Sequence, residues 1–194
     1  MKKVLFSATV DEHILSFHIP YIKWFKEQGY EVHVASKGKF KIPYVDKKYD
    51  IPFSRSPLKV SNFKAYVQLS NIIMKNNYNL IHCHTPIGAT VTRLASQKAR
   101  SKGTKILYTA HGFHFFKGAP LRNWLLYYPV EKWLSRYTDC LITINEEDYN
   151  IAISKKFKAK EIKMVHGVGI DLNKFESQTI EKKIQIRKEY GYKE

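Results

Sequence analysis

The sequence is short of several things, and each shortage excludes something. Only two of its 194 residues are cysteine, Cys83 and Cys140. Each sits in an apolar, strand-like run, where a thiol behaves as a small buried hydrophobe. A disulfide scaffold is therefore not expected. No uninterrupted apolar run approaches the ~20 residues that cross a bilayer. The opening Met1-Lys2-Lys3-Val4-Leu5-Phe6-Ser7 starts like a leader peptide, but the apolar stretch stops at Asp11-Glu12-His13, too early for an h-region. These readings point to the cytoplasm. A dinucleotide fingerprint needs G-x-G-x-x-G after the first strand. The chain has Ser7-Ala8-Thr9-Val10-Asp11-Glu12 there, and Gly167-Val168-Gly169 opens no helix. Acidic residues are scarce too: 17 Asp and Glu stand against 33 Lys and Arg, a net charge of +16. That balance favours anionic partners such as acidic headgroups or phosphorylated substrates. A solvated, Lys-rich surface is the plainer account of the same number. Nucleic acid is not expected, because no reader motif accompanies the charge.

What is present is a globular composition, 44% hydrophobic and 26% charged, with no repeat or low-complexity tract. Strands are expected at Val4–Thr9, Tyr30–Ser36, Leu80–Cys83, Lys105–Thr109, Cys140–Ile144 and Ile162–Val165, with a short one near Tyr49–Ile51. Between them fall helical segments. One ends at Gln28 with Gly29 beyond it, and Pro20 within it suits a first turn. Ser61–Lys75 follows, with Ser61 or Asn62 as N-cap and Phe63, Tyr66, Val67, Ile73 and Met74 facing inward. Ile87–Ser101, Leu121–Arg136 (bent at Pro129) and a helix capped by Asn145 complete the set. Short apolar strands alternating with helices predict an α/β fold, a Rossmann-like doubly wound parallel sheet covered on both faces.

In such sheets ligands bind beyond the carboxyl ends of the strands. Thr9, Asp11 and His13 follow the first strand. His82 and His84 end the third long strand, and His111 and His114 follow the fourth around Gly112. Asn145 and Glu146 follow the fifth, and His166 and Gly167 the sixth. Of the chain's eight histidines, only His33 lies clearly inside a strand and His18 lies in or near the first helix. The other six gather on one sheet edge, and that is the best physical pointer to a site. Two chemistries compete for it. His82-x-His84 and His111-x-x-His114 have metal-ligand spacings, with Asp11, Glu12 and Glu146 as the available carboxylates; that arrangement would make a metal-dependent hydrolase. The other chemistry is recognition of sugar hydroxyls and diphosphate by imidazoles, helix N-termini and Gly-lined turns.

Four motifs in order decide between them. They are Ile81-His82-Cys83-His84-Thr85-Pro86-Ile87-Gly88, Tyr108-Thr109-Ala110-His111-Gly112, Thr143-Ile144-Asn145-Glu146-Glu147, and His166-Gly167-Val168-Gly169-Ile170-Asp171-Leu172-Asn173-Lys174-Phe175. Together they resemble the N-terminal domain of family 4 glycosyltransferases over nearly the whole chain. The run His111–Gly118 with Trp124–Trp133 resembles the capsule and exopolysaccharide branch. The resemblance implies the acceptor-side half of a GT-B fold over residues 1–176. Residues 177–194 would then begin the linker to a second domain that grips a UDP- or GDP-sugar. It implies retention of configuration with no metal and no cofactor; the nucleotide sugar is a co-substrate. His111 is the expected catalytic contact. Thr9, Asp11, His13, His84 and His114 are expected at a lipid-linked or saccharide acceptor, and Gly112, Asn145, Glu146 and Gly167 near the donor. Many members carry a Gly pair after the first strand, and this chain has none. Phe115, Phe116, Lys117 and Arg122 are the expected contacts to an anionic membrane surface, visited from the cytoplasmic side. The 194 residues alone are expected to fold but not to transfer sugar.

Overall fold

The computed structural model describes residues 1–169, 175 and 177–192. Seven strands form one sheet: β1 (Lys3–Val10), β2 (Glu31–Lys37), β3 (Lys47–Asp50), β4 (Leu80–His84), β5 (Lys105–Ala110), β6 (Cys140–Thr143) and β7 (Glu161–Met164). Every pairing is parallel and the order is β3-β2-β1-β4-β5-β6-β7. The order reverses between β1 and β4, which is where a doubly wound sheet opens its crevice. Strand β1 shows why both faces are covered. Leu5 joins one buried cluster with Ile81, Ile106 and Leu69, while its neighbours Val4, Phe6 and Ala8 join another with Ile14, Ile22 and Val34. A strand apolar on both faces needs helices above and below it.

The helices are α1 (Asp11–Phe17), α2 (Ile19–Glu27), α3 (Val60–Asn76), α4 (Pro86–Ala95), α5 (Gln97–Ser101), α6 (Leu121–Leu134), α7 (Glu146–Ser154) and α8 (Ile180–Glu189). Pro20 does sit in a first turn, that of α2, so the segment after β1 breaks into two helices at His18. The expected helix over 87–101 likewise divides at Ser96, whose hydroxyl bonds back to the Thr92 carbonyl at 2.6 Å.

The inward face of α3 needs correction. Its buried residues are Asn62, Ala65, Leu69 and Ile73, whereas Phe63, Tyr66 and Val67 are exposed. Its N-cap is Lys59, without a side-chain cap. Asn62 instead bonds the Ser54 amide and the Ser56 carbonyl, both at 2.8 Å, and pins the loop after β3. The aromatics suggested the wrong phase because small residues let the helix approach the sheet while the bulky ones stay outside.

Helix α6 is held in an unusual way. Only Glu131 and Leu134 of it are buried, although Trp124, Tyr127 and Tyr128 pack partly against the core. Glu131 accepts from the buried Arg93 of α4 at 2.8 Å and from the Tyr108 hydroxyl of β5 at 3.3 Å. The guanidinium also lies 4.1 Å from the centre of the Tyr108 ring. Removing one partner of a buried pair strands the other charge, at about 3–5 kcal/mol; replacing both by apolar groups is often neutral. Glu131→Ala is therefore expected to destabilise the fold by ~3 kcal/mol or more in chemical denaturation. Arg93→Met with Glu131→Leu should recover more than half of that loss. A single variant within ~1 kcal/mol of the parent would show that the pair does not seat α6.

Candidate functional site

The carboxyl ends of β1 and β4 are stitched together first. Thr85 follows β4 in a left-handed conformation (φ 64°), which a threonine adopts only under constraint. The constraint is visible: the Thr85 hydroxyl lies 2.7 Å from that of Thr9 and accepts from the Thr9 amide at 3.0 Å. Pro86 then opens α4, and the Gly88 amide donates to the Thr9 hydroxyl at 3.3 Å. A Cβ on Gly88 would lie 2.7 Å from the Thr85 hydroxyl and 2.9 Å from the Thr9 amide nitrogen. Glycine is required there by close approach.

Beside this crossing lies a cleft of about 440 Å³, lined by Thr9, Glu12, His13, Arg55, Thr85 and His114 among others. It runs into a second, mostly apolar groove of about 330 Å³ walled by Leu58, Ile87, Phe115, Leu126 and Val130. Pro57, Pro86, Ile87, His114 and Tyr127 line both. Arg55 escaped the sequence reading. It lies in an irregular Pro-rich loop, and only its position beyond the carboxyl end of β3 could have pointed to it.

Under the cleft is a cluster of imidazoles. In β4, His82 pairs with Phe6 of β1, so His82 and His84 share the sheet face covered by α1 and α2. The break at His18 lays that ring on His84, with centroids 3.7 Å apart. His13 Nε2 reaches His111 Nε2 at 3.3 Å, and His82 Nε2 reaches the Thr109 hydroxyl at 2.8 Å. Burial holds protons off these rings, and neighbouring imidazoles add to it: His13 is held down at about 4, His82 at about 3 and His18 at about 2. His84 lies well below its ordinary value for the same reasons, and burial lowers His111. At neutral pH the cluster is uncharged.

Several expected site residues sit elsewhere than anticipated. His84 is fully buried beneath His18, so it cannot touch an acceptor. Asp11 is fully buried as well, accepting from the Ser36 hydroxyl at 2.5 Å and the Phe40 amide at 3.0 Å and pairing with Lys48 at 3.0 Å. Its carboxylate holds the loop after β2 and is not free to orient a ligand. His18, by contrast, belongs to the cluster. His114 leaves it for the cleft wall, against Tyr127, so His111-x-x-His114 does not converge on a metal. His166 is exposed. Asn145 caps α7 by accepting from the Asp148 amide at 2.8 Å, and its side-chain amide donates to Asp148 at 2.9 Å. Asp148 in turn accepts from the Phe113 amide at 3.0 Å, and Glu147 from the Lys117 amide at 2.6 Å. Asn145 thus supports the loop after His111 as well as its own helix. Glu146 and Gly167 are exposed at the same edge, and Gly112 needs its glycine for a φ of 122°. Phe115 is fully buried against Phe113, Trp124 and Tyr128 and is not a membrane contact; Phe116, Lys117 and Arg122 are exposed. Residues 170–174 of the fourth motif, and the domain boundary expected at 176, lie outside the described residues.

The glycosyl transferase 4-like family model matches residues 3–145. The chain belongs to that family. It is 53% identical over 193 residues to "Putative glycosyltransferase EpsD" of Bacillus subtilis, covering 100% of this chain and 51% of that protein. It is 27% identical over 117 residues to the UDP-Gal:alpha-D-GlcNAc-diphosphoundecaprenol alpha-1,3-galactosyltransferase of Escherichia coli, covering 60% of this chain and 30% of that one. Among solved structures, the UDP-GlcNAc 2-epimerase of Neisseria meningitidis, bound to UDP-GlcNAc, superposes with a TM-score of 0.66 at 13% identity, over 100% of this chain and 54% of that one. The last likeness speaks for the fold alone: a Rossmann-like half of a GT-B architecture. The chain spans about half the length of its relative EpsD.

The Thr9–Thr85–Gly88 crossing gives this family member a testable point of rigidity. An added methyl must push α4 from β1, and overpacking of this kind costs about 1–3 kcal/mol. Gly88→Ala is expected to lose that much in thermal or chemical unfolding, even though alanine is the better helix former and Gly88 lies inside α4. A Gly88→Ala variant as stable as the parent, or more stable, would remove the crossing as a constraint.

Proposed function

We propose that this chain is the acceptor side of a retaining glycosyltransferase that moves a sugar from a nucleotide sugar to a lipid-linked or saccharide acceptor in surface polysaccharide synthesis. The observation that carries it is the continuous cleft. A polar end at Thr9, Glu12, His13 and Arg55 passes into an apolar groove at Leu58, Leu126 and Val130. Such a shape suits an acceptor with a sugar or diphosphate head and a hydrocarbon tail. The family and the diphosphoundecaprenol named for the Escherichia coli relative support the same chemistry. Arg55 supplies a charge for a phosphate oxygen, and the N-terminus of α4 faces the same space.

A second domain, of the kind its longer relative has room for, would bring the nucleotide sugar to the strand-end edge. Catalysis there is mostly positioning and charge stabilisation. His111 stands at the rim of the cluster, half-exposed and uncharged, with His13 at 3.3 Å. A neutral imidazole can donate to a sugar hydroxyl without repelling the positive charge that grows on the anomeric carbon. No step in this reading uses a resident metal or cofactor. In the full-length protein, His111→Ala should lower kcat by about a hundredfold or more, the scale for a lost transition-state contact. Near-normal turnover would remove His111 from the mechanism.

The same reading needs the protein at a membrane. No described helix is long and apolar enough to cross one, so docking would be peripheral. Leu121 and Leu125 of α6 are 72% and 67% exposed, next to Phe116, Lys117 and Arg122. Each basic residue near an anionic surface adds on the order of 1 kcal/mol, so a few suffice for reversible docking. Co-sedimentation with vesicles is expected to rise with anionic lipid, fall with salt, and drop at least about fivefold in Phe116→Ser with Lys117→Glu, the effect expected from reversing one such charge. Binding indifferent to lipid charge, or unchanged in that variant, would overturn the docking surface.

A further inference from the structure

We propose that His13, His18, His84 and His111 form a transition-metal site that takes one Zn²⁺. One ring nitrogen from each of the four lies within 4.8 Å of all the others. A tetrahedral zinc with Zn–N near 2.0–2.1 Å needs ligand nitrogens about 3.4 Å apart, and the His13–His111 pair already stands at 3.3 Å. The nitrogens of His18 and His84 lie within the same 4.8 Å limit and would have to draw in toward that spacing.

The second observation is independent of spacing. Both ring nitrogens of His18 and both of His84 are buried without a hydrogen-bond partner. Every imidazole carries a donor or an acceptor on each nitrogen, and buried polar atoms are almost always satisfied. Two adjacent rings orphaned at all four nitrogens are an exception that asks for a ligand. His82, the neighbour left out of the set, has its Nε2 bonded to the Thr109 hydroxyl at 2.8 Å. A cavity of about 130 Å³ lined by Phe17, Tyr21, His18, His84 and His111 gives an approach.

The chemistry selects the metal. Four imidazoles with no carboxylate suit Zn²⁺, Cu²⁺ or Ni²⁺ and give nothing to Mg²⁺ or Ca²⁺, which need oxygen. A neutral ring offers one bare nitrogen; in the His13–His111 hydrogen bond one Nε2 carries the proton, so binding shifts that ring to its other tautomer. The net charge of +16 opposes any cation, but four nitrogen ligands outweigh a diffuse field that salt screens. Coordination would take up the His111 nitrogen that now faces His13.

The test reads binding alone, so its failure leaves the transferase reading intact. Protein without a histidine tag, in metal-depleted buffer at pH 7.5, is titrated with ZnCl₂ against a chromophoric indicator, and separately with CoCl₂. One equivalent of zinc is expected, with Kd on the order of micromolar or tighter, together with the intense visible bands of tetrahedral cobalt. His13→Gln and His111→Gln, both at partly exposed positions, should each weaken zinc at least tenfold while folding normally by circular dichroism. His166→Gln should change nothing. Absence of stoichiometric zinc, a weak octahedral cobalt spectrum, or binding that survives the His13→Gln/His111→Gln double variant would overturn the site.

Discussion

The Arg93–Glu131 ion pair is the contact on which the shape of the cleft depends. Helix α6 buries Leu134 fully and Trp124, Tyr127 and Tyr128 in part, and Glu131 is the one charged side chain it buries. Its seat is fixed by a charge reaching from α4 and a hydroxyl reaching from β5. Both Tyr108 and Glu131 also line the apolar groove. The same few atoms therefore hold α6 at a set distance and form the floor beneath it. The ion pair anchors one face of the helix, and Leu121, Leu125 and Leu126 lie outside. Directional bonding thus adds here to the partial burial of the aromatics.

The imidazole cluster rests on a different constraint. Parallel register places Phe6 opposite His82 and Cys83 opposite Ser7. With a period of two, His82 and His84 must then share one face. Pro20 breaks the following helix so that His18 drops over that face, and His13 one turn earlier arrives beside His111. Three elements that do not adjoin in sequence meet at one point, and desolvation keeps all of their rings neutral.

Much of this was legible in the sequence. Every expected strand exists within about two residues, because short apolar runs between helices leave little freedom in a parallel sheet. The histidine edge was also visible, since strand ends can be counted. What could not be read was depth. Asp11 and His84 stand at the expected edge but lie fully buried: the loop after β2 closes over Asp11, and His18 lies on His84. Phe115 is one residue from the exposed Phe116 and entirely inside; alternation in a loop has no period to read. Arg93 looks unremarkable in a helix of small residues, and its partner lies 38 positions away. Phe63 and Tyr66 show a related point: size does not imply burial, and the helix turns Ala65 and Leu69 inward instead.

The scarcity of acids acquires a physical meaning in the fold. Asp11 is bound by Ser36, Phe40 and Lys48, and Asp46 by the Val32 amide and Lys26. Asp139 holds Arg100, Lys160 and the Ile106 amide. Burial pushes its carboxyl up, but those partners outweigh it and hold it at about 2. Asp148 bonds Phe113 and Asn145, and Glu131 bonds Arg93. Much of the small stock of carboxylates is thus spent on internal bonds, several of them closing loops at strand ends. Few anions remain to balance the outer surface: among the described residues most Lys and Arg face outward, and ion pairs engage only eight of them. A surface so depleted of negative charge draws anionic ligands over a range of about a Debye length, ~8 Å at physiological salt, whatever their detailed shape. The uncharged imidazoles and the groove lie within that field. Attraction is therefore general over the surface, while on the proposed reading selection falls to the polar groups that line the cleft: Thr9, Glu12, His13, Arg55 and His114.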